Sequence, residues 1–527
     1  MISYIYIVLF FIATIPYQIY SYQDNKCPDV GIIRECLTGS EIKGLVRYYS
    51  CGINCTNEND MKSDYCHDIA EEKNTRIFHY PVAIVHPLNA LEVSKAIQCG
   101  KKCNISVVAR AGGHSYESYS IGDKNCDLVV DLVNFKNINI NENNNTAVVG
   151  PGNRLGKLYY KLNNAGFAFP SGNCPSVGVG VILGGGEGRL TREYGMSSDN
   201  LIDAQIVLAN GTIVESVNNS DKDLLWALQG AGSAGYGIVT NLTLRIHPIR
   251  KRVTSYELKY EFSLKTLKFL YSRLNKHWRK LNTRLAVEIH QVFNTKVNTI
   301  SVKGLYLGEM RGIKGYLEKI FGEPIDGDCY SVSDWFMAIT GNSTVTSEDK
   351  VNEFVNDKDK KEHNKFKVKS FYVGTERPHR GLSKDGVEYL FNFLNKIKNY
   401  ECGSYVITTL YGGGKFNKKE RNETAYIHRG FLYDIFINMR LPKNNTTVEE
   451  YCICQLNKFA TKFQKKYTSY ESFQNYIDKD LDNWQYRYYG ENFKKLVEIK
   501  NKIDPTNVFR WNQSIPTTTT VDIYDKE

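Results

Sequence analysis

Apolar residues along this chain switch between a spacing of two and a spacing of three to four, as strands and helices require. Val85 to Ile97 reads as a strand end followed by a helix. Asn89 is placed to cap it, and Ala90, Val93 and Ile97 recur at helical spacing. Ile105 to Ala109 is a short β run that stops at Gly112-Gly113, and Asp127 to Leu132 is another. Leu201 to Ala209 predicts a strand running into an Asn210-Gly211 turn and then Thr212 to Glu215. Leu224 to Leu228 looks helical, and Ile238 to Ile246 looks like a strand. Phe431 to Arg440 predicts a strand with Leu432, Asp434, Phe436 and Asn438 on one face, a carboxylate among largely apolar neighbours. The charged stretch Ser347 to Lys369 predicts a solvated loop or helix. Tyr489 to Lys500 predicts an amphipathic helix, with Phe493, Leu496, Val497 and Lys500 at helical spacing and a stop at Asp504-Pro505. The pattern as a whole is α+β, with no internal repeat.

The 527 residues suffice for about two to four domains. The net charge of +10 is spread rather than gathered into a stripe, which argues against nucleic-acid binding. Residues 1–15 form an apolar run too short for a confident membrane span, which suits the core of a signal peptide over 1–21 although it lacks an early Lys or Arg. No later stretch is apolar enough to span a bilayer. Sequons headed by Asn54, Asn104, Asn210, Asn241, Asn342, Asn422 and Asn444 agree with secretion. The 13 cysteines agree as well, since 12 remain to pair if one holds a cofactor. Seven lie between Cys27 and Cys103. A zinc cluster is the alternative there, but nothing completes a site around Cys51 and Cys55.

Chemistry concentrates in glycine-rich segments. His114 lies in Arg110–Tyr116 (RAGGHSY) and Cys174 in Gly172–Gly180 (GNCPSVGVG). Glycines let backbone approach a ligand closely, so the pair suggests two side chains fixed to one flat cofactor. The run from Gly178 to Gly188, including Gly184, Gly185 and Gly186, suits neither a helix nor a central strand. Each glycine there would cost about 1 kcal/mol relative to alanine. It is expected to form a loop whose N–H groups cradle a pyrophosphate. Gly230 to Gly235 matches G-x-G-x-x-G, but a helix precedes it and a strand follows. That is the reverse of a dinucleotide fingerprint, so a tight turn is expected instead.

From about Phe78 to Pro516 the chain resembles the berberine bridge enzyme family of flavin oxidases. RAGGHSY is similar to its histidyl-flavin motif and GNCPSVGVG to its cysteinyl-flavin motif. Gly237–Thr240 (GIVT), Tyr488–Asn492 and Asp504 to Pro516 look like its later signatures. The resemblance implies a two-domain α+β flavoprotein. After a Cys-rich segment (22–76), a PCMH-type FAD domain would occupy 77–250 and a substrate domain with an antiparallel sheet 251–470. A C-terminal segment (471–516) would return to the first domain, ahead of a disordered tail (517–527). It implies FAD bonded to both His114 and Cys174. The further cofactor-binding set is Arg110, Gly112, Gly113, Ser115, Tyr116, Pro175, Gly178, Gly180, Gly184, Gly185, Gly186, Gly237, Ile238 and Val239, with no metal.

The catalytic positions the resemblance implies are Tyr476, in a segment that acts at the substrate, and Asp434, which stands one methylene short of a family glutamate general base. His428-Arg429 matches a His-Arg pair upstream of it. The chain departs from the pattern at Val181-Ile182-Leu183, where the family usually has one more residue, a second glycine and in many members a histidine. It departs again at Glu187, where an aromatic is usual. Glu187 is therefore an additional candidate base, and desolvation near a flavin would raise its pKa. The implied reaction is removal of a substrate hydroxyl proton with hydride transfer to flavin N5, then reoxidation by O2 to give H2O2. A sugar or oligosaccharide oxidised at its anomeric carbon is the expected substrate, an alkaloid-like or phenolic molecule the alternative. A secreted flavoprotein that only binds remains a third possibility.

Overall fold

A computed structural model describes residues 27, 30–50, 52–56, 59–311, 313–325, 329–341, 345, 347–362, 364–374 and 381–518. The expected signal segment 1–21, Cys51, Asn342 and most of the expected tail lie outside them.

Two small sheets build the N-terminal half. The first runs Leu45–Tyr48, Ala83–His86, Leu128–Asp131, Val107–Arg110 in spatial order, with its last three strands parallel. Its inner strands are apolar on both faces, as parallel strands covered on both sides are. Helix Ala90–Lys102 covers it, and the Asn89 side chain accepts from the Glu92 N–H as the expected cap. The second sheet is antiparallel, in the order Ile138–Asn141, Thr146–Val149, Ile238–Arg245, Leu201–Val207, Ile213–Val214. Disulfides Cys27–Cys126 and Cys36–Cys99 tie the N-terminal segment to this half, Cys55–Cys66 closes a loop within that segment, and Cys402–Cys452 lies further on. Cys454 is exposed and outside any disulfide, so the full pairing of twelve is not reached. No group of residues suited to a metal ion occurs among the described residues.

A seven-stranded antiparallel sheet forms the second half. Its order is Tyr330–Ser333, Val253–Tyr260, Thr299–Tyr306, Glu288–Phe293, Ser404–Leu410, Phe431–Arg440, Phe366–Gly374. Strand alternation sends Tyr433, Ile435, Ile437 and Met439 into a core shared with helices Leu264–His277, Lys384–Ile397 and Thr446–Tyr467. The other face carries a polar row in register: Glu288 opposite Thr409, Thr409 opposite Asp434, Asp434 opposite Tyr372.

Three expectations change. The charged stretch from Ser347 does contain a helix, Glu348–Glu362, but Phe366 to Lys369 is a buried strand with Lys367 and Lys369 inside. Their charges are met by Glu117, Asp478 and Asp480, which removes the reason for solvation. The C-terminal helix breaks at Gly490, whose φ of 46° no helix adopts, into Trp484–Tyr489 and Phe493–Ile503. The glycine run after Gly178 is not all loop, because Val179–Gly184 forms a 3₁₀ helix.

Candidate active site

One cavity of about 460 Å³ lies between the halves, within the size range of ligand pockets. Its walls come from residues between Val107 and Trp511. The strand Val107–Arg110 delivers the loop Gly112 to Tyr116, so His114, Ser115 and Tyr116 line the cavity. The loop before the 3₁₀ helix contributes Cys174 and Gly178, the helix itself Gly180, and the strand start Gly237, Ile238 and Val239. All of these were expected from the sequence.

The His114 and Cys174 loops touch. A Cβ built on Gly112 would lie 2.5 Å from Gly178 Cα, and the reverse contact is 2.6 Å. Arg154 bridges them by donating to the carbonyls of Gly112 and Ser176. A Cβ on Gly172 would meet nothing closer than 3.4 Å, and one on Gly180 only Ala111 Cβ at 3.2 Å. Both glycines line the cavity and are less crowded by protein than Gly112 and Gly178, which fits a ligand laid against backbone, as FAD would be.

Other expected cofactor residues stand elsewhere. Arg110 is buried with its guanidinium on Asp131 and the Asp68 carbonyl (2.6 Å), so it holds two elements together away from the cavity. Pro175 packs on Gly156. Gly184 faces Asn475, Gly185 faces Phe473 and Tyr426, and Gly186 faces Ser197. None of these three glycines lines the cavity, and their close neighbours come from later in the chain for Gly184 and Gly185 and from the first half for Gly186. The rejected dinucleotide fingerprint does follow helix Lys222–Ala231 and precede a strand, yet Gly232, Ser233 and Gly235 line the cavity.

At the sheet end stand Glu187, Tyr476, Glu288, Thr409, Tyr405, Ile407 and Phe436. Tyr476 donates its hydroxyl proton to Glu187 Oε1 at 2.7 Å, and Glu187 Oε2 is buried without a partner. Burial, helped by the nearby Glu288 charge and opposed by the Tyr476 hydrogen bond, pushes the Glu187 carboxyl up to about 8. For Glu288 burial acts the same way, but Arg189 (3.1 Å) and His290 (2.9 Å) outweigh it and hold the carboxyl near 2. Burial, then the Glu187 and Asp434 charges, raise Tyr476 well above the ordinary tyrosine range.

Asp434 does not line the cavity, contrary to the expectation of a base there. It lies fully buried beside Thr409 on the neighbouring strand, with Tyr411 OH at 3.5 Å and Oδ2 unpartnered. Burial, then Glu187, keep its carboxyl well above its ordinary value. His428, buried between Glu471 (2.7 Å) and Gln474 (3.0 Å), and Arg429, paired with Asp199 (2.7 Å), are likewise structural. Glu288, Thr409, Tyr405 and Trp511 escaped the sequence reading. Each belongs to an ordinary strand or loop pattern, and only the fold brings them to the cavity.

A family model described as "FAD binding domain" matches residues 81–216, and one described as "Berberine and berberine like" matches 472–516. Berberine bridge enzyme-like 21 of Arabidopsis thaliana is 30% identical over 473 residues, covering 84% of this chain and 85% of that protein. Tetrahydroberberine oxidase of Argemone mexicana is 29% identical, with 83% of each chain covered. The solved structure of Physcomitrella patens BBE-like 1 superposes with a TM-score of 0.80 at 30% identity, over 92% of this chain and 99% of that one. The α+β, two-part architecture with a PCMH-type FAD domain is the one these relatives share, and an enzyme replaces the reading of a protein that only binds. The chain belongs to the berberine bridge enzyme-like family of FAD-linked oxidases.

Proposed function

We propose that this protein is a secreted oxidase whose FAD is bonded to both His114 and Cys174, and that it oxidises a carbohydrate hydroxyl with O2 as electron acceptor, releasing H2O2. The observation that carries this reading is that His114 and Cys174 line one cavity on loops pressed together at Gly112 and Gly178. Bound FAD supplies the hydride acceptor and passes the electrons to O2. The chain's residues do the rest. His114 and Cys174 fix the cofactor, and the glycine turns admit it to backbone. Tyr476 stands over the space left for substrate, its ring held by Phe436 (4.1 Å), Phe473 (5.0 Å) and Tyr116 (5.8 Å).

A polyhydroxylated substrate suits that space, which offers Glu288 and Thr409 for hydrogen bonds and Tyr405 and Phe436 as flat apolar faces. The relative named tetrahydroberberine oxidase favours a second reading, an alkaloid-like or phenolic substrate, for which the same aromatic faces serve. Secretion is supported by the three disulfides between Cys27 and Cys126, since such bonds persist in oxidising compartments. No helix among the described residues is long and apolar enough to cross a membrane.

Acid precipitation of the secreted protein, followed by peptide mass spectrometry, tests the tethers. We expect flavin that links the His114 and Cys174 peptides. A colourless pellet from folded protein would overturn the reading. Peroxide release with cellobiose, chitobiose and a benzylic alcohol then separates the two substrate classes.

A further inference from the structure

We propose that the substrate's hydroxyl proton ends on Glu187, handed there through the phenol of Tyr476, and that Asp434 takes no proton from the substrate. This deepens the oxidase reading and rests on it.

Geometry comes first. Tyr476 is half-buried, lines the cavity, and points its O–H at Glu187 Oε1, 2.7 Å away. A hydroxyl docked against the Tyr476 oxygen would complete a chain of two hydrogen bonds ending on a carboxylate. Asp434 is not among the residues that line the cavity, whereas its cross-strand neighbour Thr409 is, and Asp434 makes no hydrogen bond to Tyr476. The chemistry then excludes the simpler alternatives. A tyrosine buried beside two carboxylates does not store a negative charge, so Tyr476 is no standing phenolate. It passes a proton on as it receives one. The substrate O–H proton moves to the Tyr476 oxygen while the Tyr476 O–H proton moves to Glu187, and the phenol is neutral before and after. The substrate C–H bond breaks with its electron pair accepted by bound FAD, the oxidant, and the C=O bond forms.

Glu187 must be ionised to accept. The groups facing it are Tyr476, Asp434 and Glu288 with its partners Arg189 and His290, together with Tyr372 and Tyr426, whose own titrations respond to it. Arg189 and His290 balance Glu288, so Glu187 lacks a cation of its own and burial dominates. Activity is therefore expected to rise with pH through about 8, the value to which burial lifts this carboxyl.

Two readouts on the flavin-loaded protein test this. Infrared difference spectra, recorded as pH is raised, should show a protonated carboxyl band lost near 8, and Glu187→Gln should lack it. The kcat/KM of the wild type with whichever of cellobiose, chitobiose or a benzylic alcohol reduces the flavin should fall on the acid side of the same value. Glu187→Gln should lose that limb and about 10²–10⁴-fold in rate. Tyr476→Phe should lose comparable rate while keeping the carboxyl band. A band and limb that survive in Glu187→Gln but vanish in Asp434→Asn would overturn the proposal and move the acceptor to Asp434. A wild-type flavin that none of the probes reduces would instead overturn the oxidase reading, and the carboxyl titration would still stand as measured.

Discussion

Gly112 and Gly178 show how little room the site leaves at the scale of one residue. Their backbones are in contact, and a methyl group on either would lie within 2.6 Å of the other. Gly178→Ala must push the His114 and Cys174 loops apart, at an overpacking cost of about 1–3 kcal/mol. We expect a lower flavin-to-protein absorbance ratio and a lower melting temperature. An unchanged ratio would show that the loops need no contact. Glu288 acts at the same scale, since its Oε1 accepts from Asn173, beside Cys174, at 3.0 Å. Its carboxyl is depressed from 4.5 to about 2, so its stabilisation is complete above the unfolded value and lost as pH falls through the folded one. Acid titration monitored by flavin fluorescence should show loosening over that window, and Glu288→Gln should remove it. The motif residues His114, Cys174, Gly112 and Gly178 stood out in the sequence through their resemblance to the family's flavin motifs, and close backbone approach explains the glycines among them. Glu288 did not, because a glutamate in a strand is ordinary until the register sets it opposite Thr409.

Among elements, the strand Phe366–Gly374 departs furthest from its sequence pattern. Lys367 is fully buried, with Glu117 at 2.5 Å, Asp478 at 2.6 Å and Asp480 at 2.9 Å. Lys369 joins through Asp478, and Arg76 pairs with Glu117 at 2.8 Å. Three cations and three carboxylates from four stretches of chain close this cluster. Its members are scattered from Arg76 to Asp480, so the local pattern shows only charge and suggests solvent. Replacing Lys367 by Met would strand carboxylates in the interior at a cost of about 3–5 kcal/mol. Thermal unfolding should begin at lower temperature in that variant. A change no larger than that of an exposed Lys418→Met control would mean the cluster is solvated. By contrast, the helix after Asn89, the strand from Phe431 and the helix-then-strand order around Gly230 were legible. Capping and periodicity there agree with burial.

Across the whole molecule, the two halves are joined by more than the covalent chain. Lys500, fully buried in the last helix, donates to the Gly235 carbonyl at 2.6 Å, to Asp504 at 2.7 Å and to the Phe509 carbonyl at 2.8 Å. It pins the C-terminal segment to the glycine turn of the first half. The Cys27–Cys126 bridge spans 99 residues and packs in the same core cluster as Val508 and Phe509. For a loop of that size the expected stabilisation is roughly 4–5 kcal/mol. A Cys27→Ser/Cys126→Ser variant should be secreted in lower yield and melt earlier. Equal yield and melting would show that packing alone holds the segment. The two-part architecture was legible through the family resemblance, whereas the neighbours of the triple glycine, Asn475, Phe473, Tyr426 and Ser197, come together only in the folded chain.

The cavity wall runs from Val107 to Trp511. The chain must therefore be made past Trp511 before that wall is whole, and a cofactor that touches both ends of it is held only from that point on. An unfinished or C-terminally clipped chain would leave the cell's quality control a colourless protein to clear.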